Sequence, residues 1–370
     1  MMISVIMPVY NSQPFLHKAI NSILNQTMGN FQPIIINDGS TDNSEEIILA
    51  YNDSRIQYYK QENQGVAAAR NKGLELAEGD FVIFQDSDDI SLPMRFERLM
   101  SGVGNENIGI VHSDAMLINQ DDMSIGYWHA HNIDRSSLLR FFIKIGSPII
   151  GPTIMVRRQA LTDFSYDTSL SIGEDNNMIY QILKNWEDKH ISEPLYLYRR
   201  HTSNTTKTQI SSLHLIKLIN SHSLIELVPE LDWENADHAE NEIAACAIIS
   251  TFLFKRGAVV EAKELLNNAL LASKGKNVQI FVSALAKLVL GQYQDALDLL
   301  ERYKEKDHII VNYIGECLAY MGQIDLAKEH FIESLHLKPD YTEPIDNLKS
   351  VGGIRNMNLL DRSWEKFRRK

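Results

Sequence analysis

The sequence predicts two domains of different class: an α/β domain built on a parallel sheet up to about residue 210, then an all-α domain. Three observations carry this. Before that point, strand-like runs with almost no polar alternation are separated by helical patterns, the mark of strands buried on both faces. Beyond it, apolar residues recur at helical period with no comparable strand. The 370 residues also exceed what one ordinary core organises, so two domains are the default.

In chain order, ISVIMPV is the first strand, followed by a helix that places Phe15, Leu16, Ala19, Ile20, Ile23 and Leu24 on its buried face. PIIIND is the second strand, and a helix near 41–51 leads to IQYYK. A helix from about Gly65 to Ala77 then precedes the strand DFVIFQD. In the second half, GAVVEA (257–262), GQYQDA (291–296) and GQIDLA (322–327) each carry Gly and Ala five apart. Their glycines are separated by 34 and then 31 residues, and each segment sits between apolar helical stretches. Helix, Gly-containing turn and helix at this period resemble the tetratricopeptide repeat, and Pro339 in LKPDY fits its boundary. An irregular helical bundle is the alternative. Stacked helix pairs suit an interaction platform, for a protein partner or another copy of the chain.

Composition narrows the function. Hydrophobic content of 44% with 23% charged residues describes a globular chain, and a formal charge of −12 argues against a nucleic-acid partner, which needs a basic face. The only cysteines, Cys246 and Cys317, lie in apolar helical contexts, so a reducing, cytoplasmic setting without disulfides is expected. MMISVIMPVYN lacks the basic region and cleavage site of a signal peptide. IAACAIISTFLF, bracketed by Glu242 and Lys255, is too short to span a bilayer and reads as a buried helix.

The chemistry concentrates at FVIFQDSDDI, where an apolar run ends in Asp86, Asp88 and Asp89. Carboxylates so placed repel one another and call for a positive partner. They sit at a strand's carboxyl end, where ligands bind in open α/β sheets, and the other strands deliver Tyr10, Asn11 and Asp38 to the same edge. Hard oxygen ligands such as Asp86 and Asp88 suit Mg2+ or Mn2+ arriving with a nucleotide diphosphate. A solvated turn is the plain alternative, with Asp89 or Ser91 capping a helix that starts near Pro93. A calcium hand does not fit, because Ile90 and Ser91 stand where it needs an oxygen ligand and a glycine.

SVIMPVYN, IINDGSTDNS, ENQGVAAARNKGLELAEGDFVIFQDSDD, IGEDNNMIYQIL and YLYRRHTSN together resemble an inverting family 2 glycosyltransferase of the GT-A fold, over roughly residues 1–205. The resemblance implies a nucleotide-binding set of Pro8, Tyr10, Asp38, Arg70 and Asp86, with Asp38 accepting from uracil, Tyr10 packing on the base and Arg70 close to the nucleotide. Asp86 and Asp88 match the DxD element, and Asp88 would be the direct metal ligand. His201 matches a late histidine near metal and diphosphate. Glu174 and Asp175 match a later acidic pair whose aspartate is the catalytic base. Inverting transfer needs a carboxylate opposite the leaving group to take the acceptor's proton and a cation to stabilise charge on the leaving diphosphate, so two acidic clusters are required. Other readings stay open: GED capping the next helix, Arg70 pairing with Glu75 or Asp80, His201 as a structural histidine. Tyr127 and Trp128 read either as a stacking surface for an acceptor sugar or as incidental aromatics of a loop. His129 and His131 show no matching ligand pair, so no zinc is inferred.

The expected function is metal-dependent transfer of a sugar from a nucleotide donor, UDP-linked, to a glycan or lipid-linked acceptor in surface polysaccharide or glycoconjugate synthesis. A sugar nucleotidyltransferase fits less well, because PVYNSQPF has no glycine-rich phosphate loop. A nucleotide-sugar-binding adaptor without turnover is the non-catalytic alternative. The expected division is a GT-A domain at 1–205, a connecting helical segment at 206–236, tetratricopeptide-like repeats at 237–350 and a basic amphipathic tail at 351–370. RNMNLLDRSWEKFRRK has six basic residues against two acidic, which suits either peripheral contact at the inner membrane face or a polar helix closing the stack.

Overall fold

A computed structural model of the chain describes residues 1–130, 138–144, 146–202, 212–234 and 236–352. The expectations for His131 and for the tail from residue 353 lie outside these residues. The chain divides into two compact units, Met1–Phe142 with Gly146–His214, and Ile143–Ile145 with Leu215–Lys370.

In the first unit, β1 (Ile3–Val9), α1 (Leu16–Leu24), β2 (Phe31–Asp38), α2 (Ser44–Leu49), β3 (Gln57–Gln61), α3 (Val66–Leu76) and β4 (Phe81–Phe84) follow the order read from the sequence. β3, β2, β1 and β4 lie side by side and parallel. Ile3, Val5, Ile35 and Ile83 are buried from one face of this sheet against Leu16, Ala19 and Ile20 of α1. Each such aliphatic side chain stabilises the fold by roughly 1.5–3 kcal/mol.

The remaining strands, which the sequence reading did not pair, make the sheet a mixed one. After β5 (Ile90–Ser91), α4 (Arg95–Ser101), β6 (Ile108–Ile118), β7 (Ser124–Trp128) and α5 (Leu138–Lys144), the chain adds β8 (Ile154–Arg157), α6 (Glu174–Leu183) and β9 (Glu187–Arg199). The sheet order is β3-β2-β1-β4-β8-β6-β9-β5, with β7 on β6. β8 runs antiparallel to both β4 and β6, whereas β9 is parallel to β6. The reversal begins at the β6–β7 hairpin, whose turn is closed by the Asn119 N–H on the Met123 carbonyl, with Asp122 at φ 65°. Asp89 and Ser91 do not cap α4, which starts after Met94 without a side-chain cap. Instead Asp89 Oδ1 accepts the Arg199 N–H at 2.6 Å, and the Ser91 hydroxyl donates to Gln85 at 2.7 Å.

The second unit is helical and has no strand among the described residues. The apolar run from Ile243 lies within α9 once α7 (Leu213–Asn220) and α8 (Leu224–Leu227) are counted, and α9 spans His238–Lys255 with most of that run buried. α9 packs on α10 (Val259–Ala272), α11 (Gln279–Val289) on α12 (Tyr293–Leu300), and α13 (His308–Tyr320) on α14 (Ile324–Leu337). α15 (Glu343–Val351) follows. The three sequence repeats fall at the same point of each pair. Gly257, Gly291 and Gly322 have φ of 85°, 77° and 81°, a left-handed conformation that glycine adopts without penalty. The next residue's N–H reaches back five residues in every case, Ala258 to Leu253, Gln292 to Lys287 and Gln323 to Leu318, each at 2.9 Å. Ala262, Ala296 and Ala327 are all fully buried, so the repeated alanine marks where the second helix of each pair needs a small side chain.

Candidate active site

The strand ends converge as the sequence implies. β1 delivers Tyr10, 49% exposed, while Pro8 is buried inside the strand. Asn11, at φ 49°, accepts the Thr41 N–H at 2.8 Å, and the Ser12 and Ser87 hydroxyls lie 2.6 Å apart, tying the end of β1 to the acidic loop. Asp38 ends β2 and is buried. Its Oδ1 accepts from Gln61 Nε2 at 2.8 Å and the Gln64 N–H at 2.9 Å, and its Oδ2 from the Gly65 N–H at 2.8 Å. A carboxylate offers about four acceptor positions, so about one is left for a ligand.

Arg70, on α3, joins the two acidic clusters. Its Nη1 donates to Glu174 and to Asp175 at 2.6 Å each, and its Nη2 to Asp86 at 3.2 Å. The guanidinium is buried between the Phe84 and Tyr166 rings, whose centroids lie 5.9 and 5.7 Å away. The alternative pairing is excluded: Glu75 pairs with Lys72, and Asp80 accepts the Met2 N–H. Nor is GED merely a cap. Gly173 precedes α6 and no side chain caps the helix, while Glu174 and Asp175 in its first turn are both committed to Arg70. Burial pushes the Asp175 carboxyl up to about 7, against the pull of Arg70, and Glu174 and Asp86 add to the rise. Burial also pushes Asp86 up to about 6, with Arg70 opposing and Asp88 reinforcing. Asp175 is thus poised between its two states near neutral pH, as a proton acceptor in catalysis needs to be.

On the acidic loop, Asp88 Oδ2 lies 2.8 Å from His201 Nε2. Oxygens of Asp86, Asp88 and Asp89 all lie within 4.8 Å of one another. Asp89 Oδ2 is buried with no partner among the described residues, and burial together with the charges of Asp88 and Asp86 raises its carboxyl well above the usual range. Carboxylates this close oppose one another's ionisation, and a cation among their oxygens relieves that repulsion, so the oxygen donors fit a hard divalent cation.

Several supporting residues escape sequence reading. The buried Arg199 donates through Nε to the Asp88 carbonyl at 2.7 Å and through Nη1 to the Asn119 carbonyl at 3.0 Å, and it pairs with Asp122 at 2.6 Å. Its guanidinium lies 4.7 Å from the Phe15 ring centroid, and the His201 ring lies 4.9 Å from the same centroid. Arg95, fully buried, donates to Gln85 and Ser91, to the Phe84 carbonyl and to the Pro152 carbonyl, linking the end of β4 to the segment before β8. Gly151 in that segment faces the acidic pair: a Cβ there would stand 2.3 Å from Asp175 Oδ2. The run SPIIGPT signals a turn but not which residue approaches it. Trp128 is buried on β7 and is not available for stacking on a sugar, while the Tyr127 hydroxyl donates to Asp114 at 2.5 Å.

Residues 4–164 match the family model described as glycosyl transferase family 2. An Escherichia coli relative, UDP-Glc:alpha-D-GlcNAc-diphosphoundecaprenol beta-1,3-glucosyltransferase WfgD, is 32% identical over 186 residues, 48% of this chain and 72% of that protein. The chain belongs to glycosyl transferase family 2. Coverage varies among the relatives: an uncharacterized glycosyltransferase of Rickettsia bellii is 32% identical over 208 residues, 55% of this chain but 29% of that one. Among solved structures, S. aureus TarS 1–349 in complex with UDP-GlcNAc aligns over 96% of this chain and 92% of its own, with a TM-score of 0.50 and 17% identity. At that identity the likeness is one of fold: an α/β GT-A domain followed by a C-terminal helical region.

Proposed function

We propose that this family 2 chain transfers a sugar with inversion from a UDP-linked donor to a hydroxyl of a glycan or lipid-linked acceptor, in synthesis of a surface polysaccharide or glycoconjugate. The observation that carries this reading is the buried guanidinium of Arg70, which pairs with both the acidic pair of α6 and Asp86 of the acidic loop after β4. The activity for which the E. coli relative is named, with its UDP-linked donor and diphosphoundecaprenol acceptor, supports the substrate class.

Asp175 is the base. As the acceptor oxygen bonds to the anomeric carbon, its proton passes to the Asp175 carboxylate, and the bond from that carbon to the β-phosphate oxygen breaks on the opposite face, releasing UDP. Arg70 keeps Asp175 and Glu174 oriented and opposes the rise of the Asp175 carboxyl. Through Asp86 it also ties this acidic pair to the nucleotide-binding set in which the resemblance places Arg70. Asp88, Asp86 and His201 would hold Mn2+ or Mg2+, which when bound stabilises charge on the leaving diphosphate. Tyr10 offers an exposed ring for the base, at the end of the strand that contains Pro8, and Asp38 the remaining acceptor position for uracil. The Arg199 side chain fixes the Asp88 carbonyl, and the Asp89 carboxylate accepts the backbone N–H of Arg199, so β9 holds the acidic loop at two points.

The helical half, with tetratricopeptide-like pairs at 237–350 after a connector at 206–236, serves acceptor positioning or self-association rather than chemistry. The tail at 351–370 would add contact with an anionic membrane face from the cytoplasmic side. Among the described residues no helix is long and apolar enough to cross a membrane. Incubating the full chain with a panel of nucleotide-sugars and Mn2+ and measuring released nucleotide tests the function. Nucleotide release from a UDP-sugar supports it, and no release from any donor, with acceptor lipids present, refutes it.

A further inference from the structure

A second polar cluster, sharing no residue with the site above, gathers on the β6–β9 pair. Asp114 of β6 is fully buried. Its Oδ1 lies 2.7 Å from His190 Nε2 of β9 and accepts the Ala130 N–H at 3.0 Å, while its Oδ2 lies 3.1 Å from His129 Nδ1 and accepts the Tyr127 hydroxyl. In the sequence His129 has no ligand partner within reach. The fold supplies two, and the three donor atoms of Asp114, His129 and His190 all lie within 4.8 Å of one another.

We propose that Asp114, His129 and His190 form a binding site for a divalent transition-metal ion of the zinc type, separate from the cation of the sugar-transfer site. The donor set carries the choice of ion. Two imidazoles and one carboxylate favour zinc, cobalt or nickel, whereas the oxygen-rich acidic loop favours manganese or magnesium. The surroundings are those of a ligand set held in place from behind. Tyr127 and Ala130 fix the Asp114 carboxylate, and the buried His112 ring stacks on His190 at 5.0 Å, with its own Nε2 held 3.0 Å from Asp188. Such outer contacts orient metal ligands. The His129 side chain is 53% exposed, which gives the site its opening to solvent.

The present N···O separations of 2.7 and 3.1 Å are hydrogen-bond lengths. Zinc bonds of about 2.0–2.1 Å in a tetrahedron set ligand atoms roughly 3.3 Å apart, so the two rings must withdraw by several tenths of an ångström. Binding through His190 Nε2 and His129 Nδ1 requires each ring to carry its proton on the other nitrogen. The bound ion would lock the strand end after β7 to β9.

The test uses the full chain carrying Asp88→Asn, which removes the acidic loop's metal ligand, and titrates it with Co2+ read by visible absorption and calorimetry. One Co2+ per chain, displaced by Zn2+, with Kd raised at least about tenfold by an added His129→Ala, is the expected result. His129→Gln serves as a second exposed-site variant, so a folding defect in one does not decide the matter. Absence of Co2+ binding in the Asp88→Asn chain, or unchanged affinity in both His129 variants, overturns the proposal.

Discussion

Gly151→Ala separates the position of the base from the integrity of the fold. The backbone at Gly151 does not have a positive φ, so alanine is compatible with it. What alanine cannot keep is the space: its Cβ would stand 2.3 Å from Asp175 Oδ2 and 2.7 Å from Asp175 Cγ, where ordinary contact begins at about 3.4 Å. The carboxylate, being the mobile end of a side chain, must therefore retreat by about 1 Å. A displacement of that size between reacting groups costs on the order of 10²-fold in rate. The assay is steady-state release of UDP with acceptor present, alongside donor affinity by calorimetry and Tm by scanning calorimetry. The expected pattern is kcat down about 10²-fold, donor Kd within twofold and little change in Tm. Unchanged kcat would refute the claim that the Asp175 carboxylate must sit where the structure places it.

Asp88→Asn should abolish turnover and weaken UDP binding in Mn2+ with the fold intact, and calorimetric UDP affinity that is independent of metal and unchanged in the variant would contradict the ligand role. Because the base must be ionised and burial pushes Asp175 up to about 7, kcat/KM should rise with pH through about 7; a flat profile there argues against Asp175. The same raised pKa has a stability consequence: its contribution is full below the ordinary carboxylate range and is lost as pH rises through about 7, so Asp175→Asn should flatten that part of the Tm profile. A chain ending near residue 236 should still hydrolyse the nucleotide-sugar but transfer poorly to native acceptor, and equal transfer would move the helical half to self-association.

The legible part of this molecule is the part written in periodic or locally contiguous chemistry. The first four strands and the helices between them show as apolar runs, because strands buried on both faces leave no room for polar alternation. The glycine turns of the helical pairs show because a left-handed residue followed by a buried alanine is a local requirement repeated three times. Asp86, Asp88 and Asp89 are visible as a cluster because they are neighbours in sequence. What stays hidden is chosen by distant contact. The switch to antiparallel pairing at β8 depends on which strands the four residues IMVR meet, and nothing within them says so. Arg70 is 104 residues from Glu174, and on a helix its sequence neighbours Glu75 and Asp80 look like the natural partners. Arg199, Gly151 and the Asp114 cluster are set in the same way, by register between β6 and β9 or by the approach of one loop to another helix.

The central claim is that Asp175 takes the acceptor's proton while the acidic loop holds the donor, and Asp175→Asn tests it most directly, since asparagine keeps the size and helix position and removes only the proton acceptor. Measured with a UDP-sugar, Mn2+ and acceptor, kcat should fall by roughly 10²–10⁴-fold with donor Kd nearly unchanged. An Asp175→Asn chain that transfers sugar at the parent rate would contradict the account and make Glu174 the next residue to examine.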